Sequence, residues 1–438
     1  MKSLKLALIL EIFLAGIYLP LTSGIFLIYL SSLGYGFSEI SLITALPSLI
    51  VIIISLITIR NPNIISQKLK QRFILVHAGE RITWFLMPFL RELYLIIILY
   101  VFKTAFSAMI SIYMNYVIYG SFSETDIRDV TAKRASVGSL SSIFSYLLAT
   151  LIIGALPPET KYLTSFTLGA SIGLLSTLII SLPDFSKLEI KLSRPTLSSV
   201  EKIYSASLYQ VLFVASANML GMVWTPFLIN VRNYPDYLPA LMGFIATFLS
   251  ILSSLYWRDR AFRTYRNSLL LDALTPLLIW TLPTPYLQVA LSAYNSFIST
   301  GTGFLGGFLF ARYMPSSEAI LGASVLTMIG GFGQGIASLI GITLGNNYLA
   351  VFIAIMLLKL FSLIIAYVII PEVALIPEDV ARNYSLTLYK ISLIGFNMTI
   401  EYSKESILIT LRMIGLTMTL TLLYILYRLV AILLIRGY

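Results

Sequence analysis

Residues 40–60 read ISLITALPSLIVIIISLITIR, and the first charged side chain in that run is Arg60 at its end. At 1.5 Å per residue, a helix over these positions is about 30 Å long, the thickness of the hydrocarbon layer of a bilayer. Water would have to solvate every face of it, because the apolar residues follow no one-sided stripe; lipid would not. The run therefore predicts a membrane-spanning helix, and similar runs lie on both sides of it.

Working outward, spans are expected at 6–31, 39–59, 73–90, 93–118, 136–156 and 162–182, then at 204–230, 238–257, 267–283, 286–310, 319–344 and 348–370. Turn signals separate them, among them Leu33-Gly34-Tyr35-Gly36, Pro157-Pro158-Glu159 and Pro283-Thr284-Pro285. Composition agrees. The chain of 438 residues is 58% hydrophobic and 11% charged, against about 25% charged in soluble domains, and its mean hydropathy is +0.89. With no cysteine and one histidine, His77, a disulfide framework, a thiol nucleophile and a multi-histidine metal centre are excluded, and no metal or cofactor is expected. The basic start Met1-Lys2-Ser3-Leu4-Lys5 resembles a secretory leader, but the apolar run continues past Phe26 without a small-residue cleavage site, so an uncleaved first span is expected.

The net charge of +10 reads as membrane orientation rather than nucleic-acid binding. With the N-terminus cytoplasmic, eighteen Lys and Arg residues of the N-terminal tail and first eleven loops fall inside, and only Arg91, Lys161 and Arg232 fall outside. Cytoplasmic loops carry such a basic excess.

The chain also repeats itself. Pro20 followed by Phe26-Leu27-Ile28 matches Pro226 followed by Phe227-Leu228-Ile229. Ser121-Phe122-Ser123-Glu124, which leads into a Ser/Gly-rich span, matches Pro315-Ser316-Ser317-Glu318, which leads into the span of Gly330, Gly331, Gly333, Gly335 and Gly341. Six spans per repeat, an even number, give both halves the same orientation, related by an axis along the membrane normal. The expected organisation is an N-terminal six-helix bundle (1–182), a polar cytoplasmic linker (183–203), a C-terminal six-helix bundle (204–371) and an appendage (372–438). In the appendage, alternation over 386–393 and 398–402 about Gly395 suggests a small β-hairpin. Residues 405–435 suggest a thirteenth helix, spanning or interfacial. Sequons at Asn383 and Asn397 would face the cytoplasm unused.

Six plus six spans, parallel repeats and a charged central loop resemble the major facilitator superfamily of secondary transporters. Its loop signature, roughly G-x-x-x-D-R-x-G-R-[RK], survives as Asp259-Arg260-Ala261-Phe262-Arg263, without the glycines. The first copy, Ile65 to Arg72, is basic without an acid. The resemblance implies that Asp259, Arg260 and Arg263 act as a conformational latch, and that spans one, four, seven and ten line a central cavity. Lys103-Thr104-Ala105-Phe106-Ser107 stands where the fourth span of the family often carries R-x-x-Q-G. The proline-glycine motif of many drug/proton antiporters is missing from 136–156.

Charges within spans cost about 2.5–3.5 kcal/mol each on insertion scales, so each needs a reason. Glu11, Tyr18 and Thr22 share one helical face, as do Tyr100, Lys103, Ser107 and Ser111. Glu11 and Lys103 are expected to pair, or to carry a proton and hold an anionic group respectively. Glu80, Arg81, Asp272 and Lys359 read as structural charges, and His77 alone is weak evidence for a proton relay. The tenth span carries a stripe of Gln288, Ser292, Asn295, Ser299 and Thr302, with Tyr294 beside it. The seventh offers Gln210, Asn218, Trp224 and Thr225. Such groups suit a neutral or zwitterionic solute.

The expected function is alternating-access transport of a small solute by a multi-pass, monomeric protein of the cell membrane, with a proton as candidate coupling ion and the lipid bilayer as its other partner. A lipid flippase or a non-transporting receptor on the same scaffold is the alternative. A membrane-embedded enzyme is disfavoured because no Asp-x-x-x-Asp cluster lies at a span end. Direct ATP coupling is disfavoured because no G-x-x-x-x-G-K-[ST] loop is present.

Overall fold

The computed structural model describes residues 2–122, 124–189, 200–313 and 319–402, with Met418 and Tyr424 beyond them. Among these residues every regular element is helical. Helices occupy all twelve expected positions. In the first half they are α1 (Lys2–Leu21) with its continuation α2 (Ser23–Ser32), α3 (Phe37–Arg60), the short α4 (Asn63–Ser66), α5 (Leu69–Leu86), α6 (Leu93–Ser121), α7 (Glu124–Ala155) and α8 (Pro158–Ser181). The second half has α9 (Val200–Pro226), α10 (Tyr237–Arg258), α11 (Tyr265–Thr281), α12 (Pro285–Tyr313), α13 (Ala319–Leu344) and α14 (Tyr348–Ile369), followed by α15 (Glu378–Tyr402).

Nine spans among the described residues are long and apolar enough to cross a membrane, and the protein is a multi-pass membrane protein. The other three, α5, α11 and α12, fall short in length or apolarity. They hold much of the intramembrane chemistry: His77, Glu80 and Arg81 on α5, Asp272 on α11, and the amide and hydroxyl stripe on α12. α11 is 17 residues long; in all three, polar side chains that face other helices rather than lipid can be carried within a membrane.

Within the first half α1 packs on α7 and α8, and α5 on α6 and α8; within the second, α9 packs on α13 and α14, and α10 and α11 on α12. Across the halves α3 lies against α13 and α7 against α10. Small residues permit the closest approaches. A Cβ on Gly138 would come within 3.0 Å of the Ile12 side chain, and Gly16 faces Ser141 and the Gly138 carbonyl, so α1 and α7 cross nearly backbone to backbone.

The expected β-hairpin is corrected by α15. Ala381 and Ser385 are buried and Leu388, Tyr389 and Ser392 half-buried, spaced i, i+4, i+7, i+8 and i+11, a helical stripe hidden within an alternating pattern. The stripe docks on α9: the Tyr204 hydroxyl lies 2.5 Å from Ser392 Oγ, and the Tyr204 and Tyr389 rings meet edge-on at 5.8 Å. Packing of this face overrides the strand preference of the β-branched residues. The thirteenth helix expected at 405–435 falls, apart from Met418 and Tyr424, outside the described residues, as does 190–199 of the linker.

Candidate functional site

A charged cluster is buried in the first half, where α1, α5, α7 and α8 converge. Glu11 is 3% exposed and His77 is fully buried. The Arg134 guanidinium donates through Nη1 to Glu11 Oε2 at 2.9 Å and to the Leu8 carbonyl at 2.5 Å. The other Glu11 oxygen, Oε1, lies 3.5 Å from His77 Nε2. That nitrogen is also 3.1 Å from Arg81 Nη2, and His77 Nδ1 is 2.8 Å from Thr177 Oγ1. Arg81 donates to Glu80 Oε2 at 2.9 Å and stands over the Tyr18 ring at 4.6 Å. Tyr18 donates to the same Glu80 oxygen at 3.2 Å, and Trp84 Nε1 donates to Oε1 at 2.8 Å. Two carboxylates and two guanidiniums thus enclose one imidazole. Buried charges persist only when paired and hydrogen-bonded in this way.

Glu11 and Tyr18 sit in this cluster, as their shared helical face requires, but the expected pairing of Glu11 with Lys103 is corrected. Arg134 reaches Glu11 instead because α1 and α7 approach so closely at Gly16 and Gly138. Lys103 stands over aromatic rings, 5.1 Å from that of Trp84 and 5.2 Å from that of Tyr100. Ser107 Oγ makes only a long 3.5 Å contact to Glu80 Oε1.

The stripe on α12 divides. Trp224 Nε1 donates to Gln288 Oε1 at 2.8 Å, and Gln288 Nε2 donates to the carbonyls of Ile279 at 3.0 Å and Leu282 at 2.7 Å. Ser292 reaches the Met242 carbonyl of α10 at 3.3 Å besides that of Val289 on its own helix, and Tyr294 donates to the Leu271 carbonyl of α11 at 2.8 Å. These groups join helices. Asn295 and Gln210 differ, since their side-chain carbonyl oxygens are buried without a hydrogen-bond partner among the described residues; Asn218 is half-buried. A second buried ion pair, Asp272 with Lys359 at 2.6 Å, ties α11 to α14.

The halves are joined at one end. Lys161 pairs with Asp236, to which Tyr162 also donates at 2.9 Å. Asn230 donates to the Tyr35 carbonyl at 3.1 Å, and the Ser38 amide donates to Asn346 at 3.0 Å. Two turns further in, Thr44 and Ser338 hydroxyls meet at 2.8 Å. At the opposite end, Asp259, Arg260 and Arg263 are exposed. Asp259 is held by Arg258 next to it at 3.0 Å, a hydrogen bond that keeps its carboxyl below the usual range. Arg260 stacks on Tyr256 at 4.2 Å.

Arg134, Thr177, Trp84 and Asp236 were not singled out from sequence. Arg134 reads there as one more basic loop residue. The available signal was that a buried Glu11 demands a cation, and that Gly138 lies one helical turn after Arg134.

This architecture is the major facilitator fold. Solved structures share it at low sequence identity. The nucleoside transporter NupG superposes with a TM-score of 0.59 at 14% identity, covering 83% of this chain and 96% of that one. A bacterial homologue of the human lysosomal transporter Spinster, captured inward-facing and occupied, gives 0.56 at 12%, covering 83% and 94%. The human organic anion transporter MFSD10 gives 0.55 at 14%, covering 83% and 98%. At the level of sequence no family model and no curated protein matches.

Proposed function

We propose that the protein is a secondary transporter that moves a small solute across the cell membrane by alternating access, with proton movement coupled through the Glu11–His77–Arg81 cluster. The observation that carries the transport reading is the polar seam that joins the halves at the Tyr35, Asp236 and Asn346 end. The basic-loop bias supports placing that end outside and the N-terminus in the cytoplasm, and on that reading the chain is inward-facing. In that state the loop of Asp259, Arg260 and Arg263 is disengaged, making its contacts with immediate neighbours. The likeness to solute transporters supports the same reading.

Coupling follows from the position of His77 Nε2. When it accepts from Arg81, the ring is neutral and its Nδ1 proton lies on Thr177. A proton added at Nε2 must break that bond and turns the ring toward Glu11, which Arg134 also holds. The other polar groups around the ring are Glu80 on α5 and Tyr18 on α1, with Lys103 beyond Trp84. One proton therefore redistributes the pairing among three helices.

The test is counterflow with a panel of nucleosides, amino acids and organic anions in proteoliposomes, with a pH dye inside. The expected result is solute-dependent proton movement. In His77→Gln this movement should be lost while solute exchange continues. Proton movement unchanged in both His77→Gln and Glu11→Gln would remove the cluster from the mechanism. No exchange of any panel member would count against transport of these classes.

A further inference from the structure

Arg134 also borders an open cleft of about 530 Å³ between α1, α7 and α10. Its walls come from both halves: apolar Ile12, Leu19 and Pro20 beside Ser142 and Tyr146 on the first, and Thr247 on the second. We propose that this cleft binds a small, hydroxyl-bearing organic anion, a carboxylate or a phosphate monoester, through the Arg134 guanidinium. This deepens the transport reading by naming a class of solute and the place where it docks.

The argument starts from donor count. A guanidinium has five N–H groups in a rigid fork. The Nη1 pair is directed at Glu11 and the Leu8 carbonyl, and among the described residues Nε–H and the Nη2 hydrogens have no hydrogen-bond partner. Arg134 keeps 12% of its side chain exposed and lines the cleft, so these donors are within reach of a ligand there. Glu11 fixes the fork from behind, as a positioning carboxylate does for a pre-organised arginine. Two donors in one plane match a carboxylate or phosphate, and charge-assisted bonds of this kind are roughly twice as strong as neutral ones. The serine hydroxyls of the wall can donate and accept, and Thr247, which donates to the Gly243 carbonyl at 2.8 Å, can still accept; with apolar Ile12, Leu19 and Pro20 beside them, the wall suits a small anion that carries both hydroxyl and hydrocarbon parts.

The cleft also bears on motion. The Tyr146 ring is wedged between Gly24 of the first half and Gly243 of the second, at distances where a Cβ on either glycine would meet it at 3.0 and 2.6 Å. A ligand bridging Arg134 and Thr247 therefore sits directly beside the ring about which α7 and α10 approach, and its binding energy differs between open and closed arrangements.

Binding can be measured without transport, so it fails or succeeds separately from the function proposed above. Purified protein in detergent is titrated calorimetrically with sn-glycerol 3-phosphate and with citrate, glycerol serving as the uncharged control. Saturable heat is expected from at least one anion and none from glycerol. Arg134→Lys, which keeps the charge beside Glu11 but loses the fork, should weaken binding on the order of tenfold. Ser142→Phe, which fills the cleft without touching the ion pairs, should abolish it. Repeating the titration in nanodiscs identifies the source of the anion: weaker binding in phosphatidylglycerol than in phosphatidylcholine assigns the site to lipid headgroups as well, and equal binding assigns it to free solutes. The proposal is overturned if neither anion binds, if glycerol binds equally, or if binding survives both substitutions unchanged.

Discussion

Asp272→Ala should destabilise the protein by about 3–5 kcal/mol, because it leaves the Lys359 ammonium buried without its partner. Both residues are nearly inaccessible, at 2% and 4% exposure, and their contact is 2.6 Å. Neither lipid nor the packed interior of α11 and α14 can solvate the orphaned charge. The double substitution Asp272→Leu with Lys359→Met removes both charges at similar volume, and should recover most of the loss. Unfolding in denaturant-titrated detergent micelles, followed by tryptophan fluorescence, separates the two outcomes. If the double variant were as unstable as Asp272→Ala, packing rather than the unpaired charge would be responsible.

The second large effect is on conformation. Gly341 on α13 faces α3 so closely that a Cβ there would approach the Phe37 ring to 3.0 Å and Ser41 Cβ to 2.7 Å. Leucine at this position overpacks the seam only while the halves are joined at that end. Overpacking costs about 1–3 kcal/mol, which corresponds to a population shift of about 5–150-fold. The chain contains no cysteine, so a single Thr44→Cys reports on the seam without background. Its labelling by an impermeant maleimide applied from the face opposite the basic loops should accelerate by on the order of tenfold in Gly341→Leu. Gly330→Leu on the same helix, where a Cβ would meet nothing within 4 Å, is the control and should leave the rate unchanged. Equal rates in both variants would show that the seam does not govern access.

The fold was legible in the sequence because long apolar runs, such as 40–60, have few alternatives to a membrane helix. The internal repeat then limited how those helices could be arranged. The appendage is less legible for a related reason: residues 386–393 satisfy an alternating pattern, and only the contact with Tyr204 on α9 reveals the helical one. Individual partners were the least legible. Glu11 announces that it needs a cation, but whether Lys103 or Arg134 supplies it depends on how closely α1 approaches α7. That distance is set by Gly16 and Gly138 facing one another, a pairing no single helix encodes. The α12 stripe shows the same limit. Its periodicity locates a polar face, yet Gln288 and Ser292 on that face are engaged with backbone carbonyls, while Asn295 keeps an oxygen uncommitted among the described residues.

The lead helix of each half is interrupted near the end where the halves are joined. After Pro20, Thr22 leaves helical geometry at φ −122° and ψ −86°, and α2 begins. After Pro226 the chain winds as a π-helix over Phe227–Val231. Prolines remove a backbone hydrogen bond and weaken a helix locally, so each shaft carries a compliant joint just below the seam. The tips can tilt while the shafts stay in place. On the alternating-access mechanism proposed above, the seal at this end would loosen in stages through an occluded intermediate, and exchange between sides need not wait for both bundles to swing as single blocks.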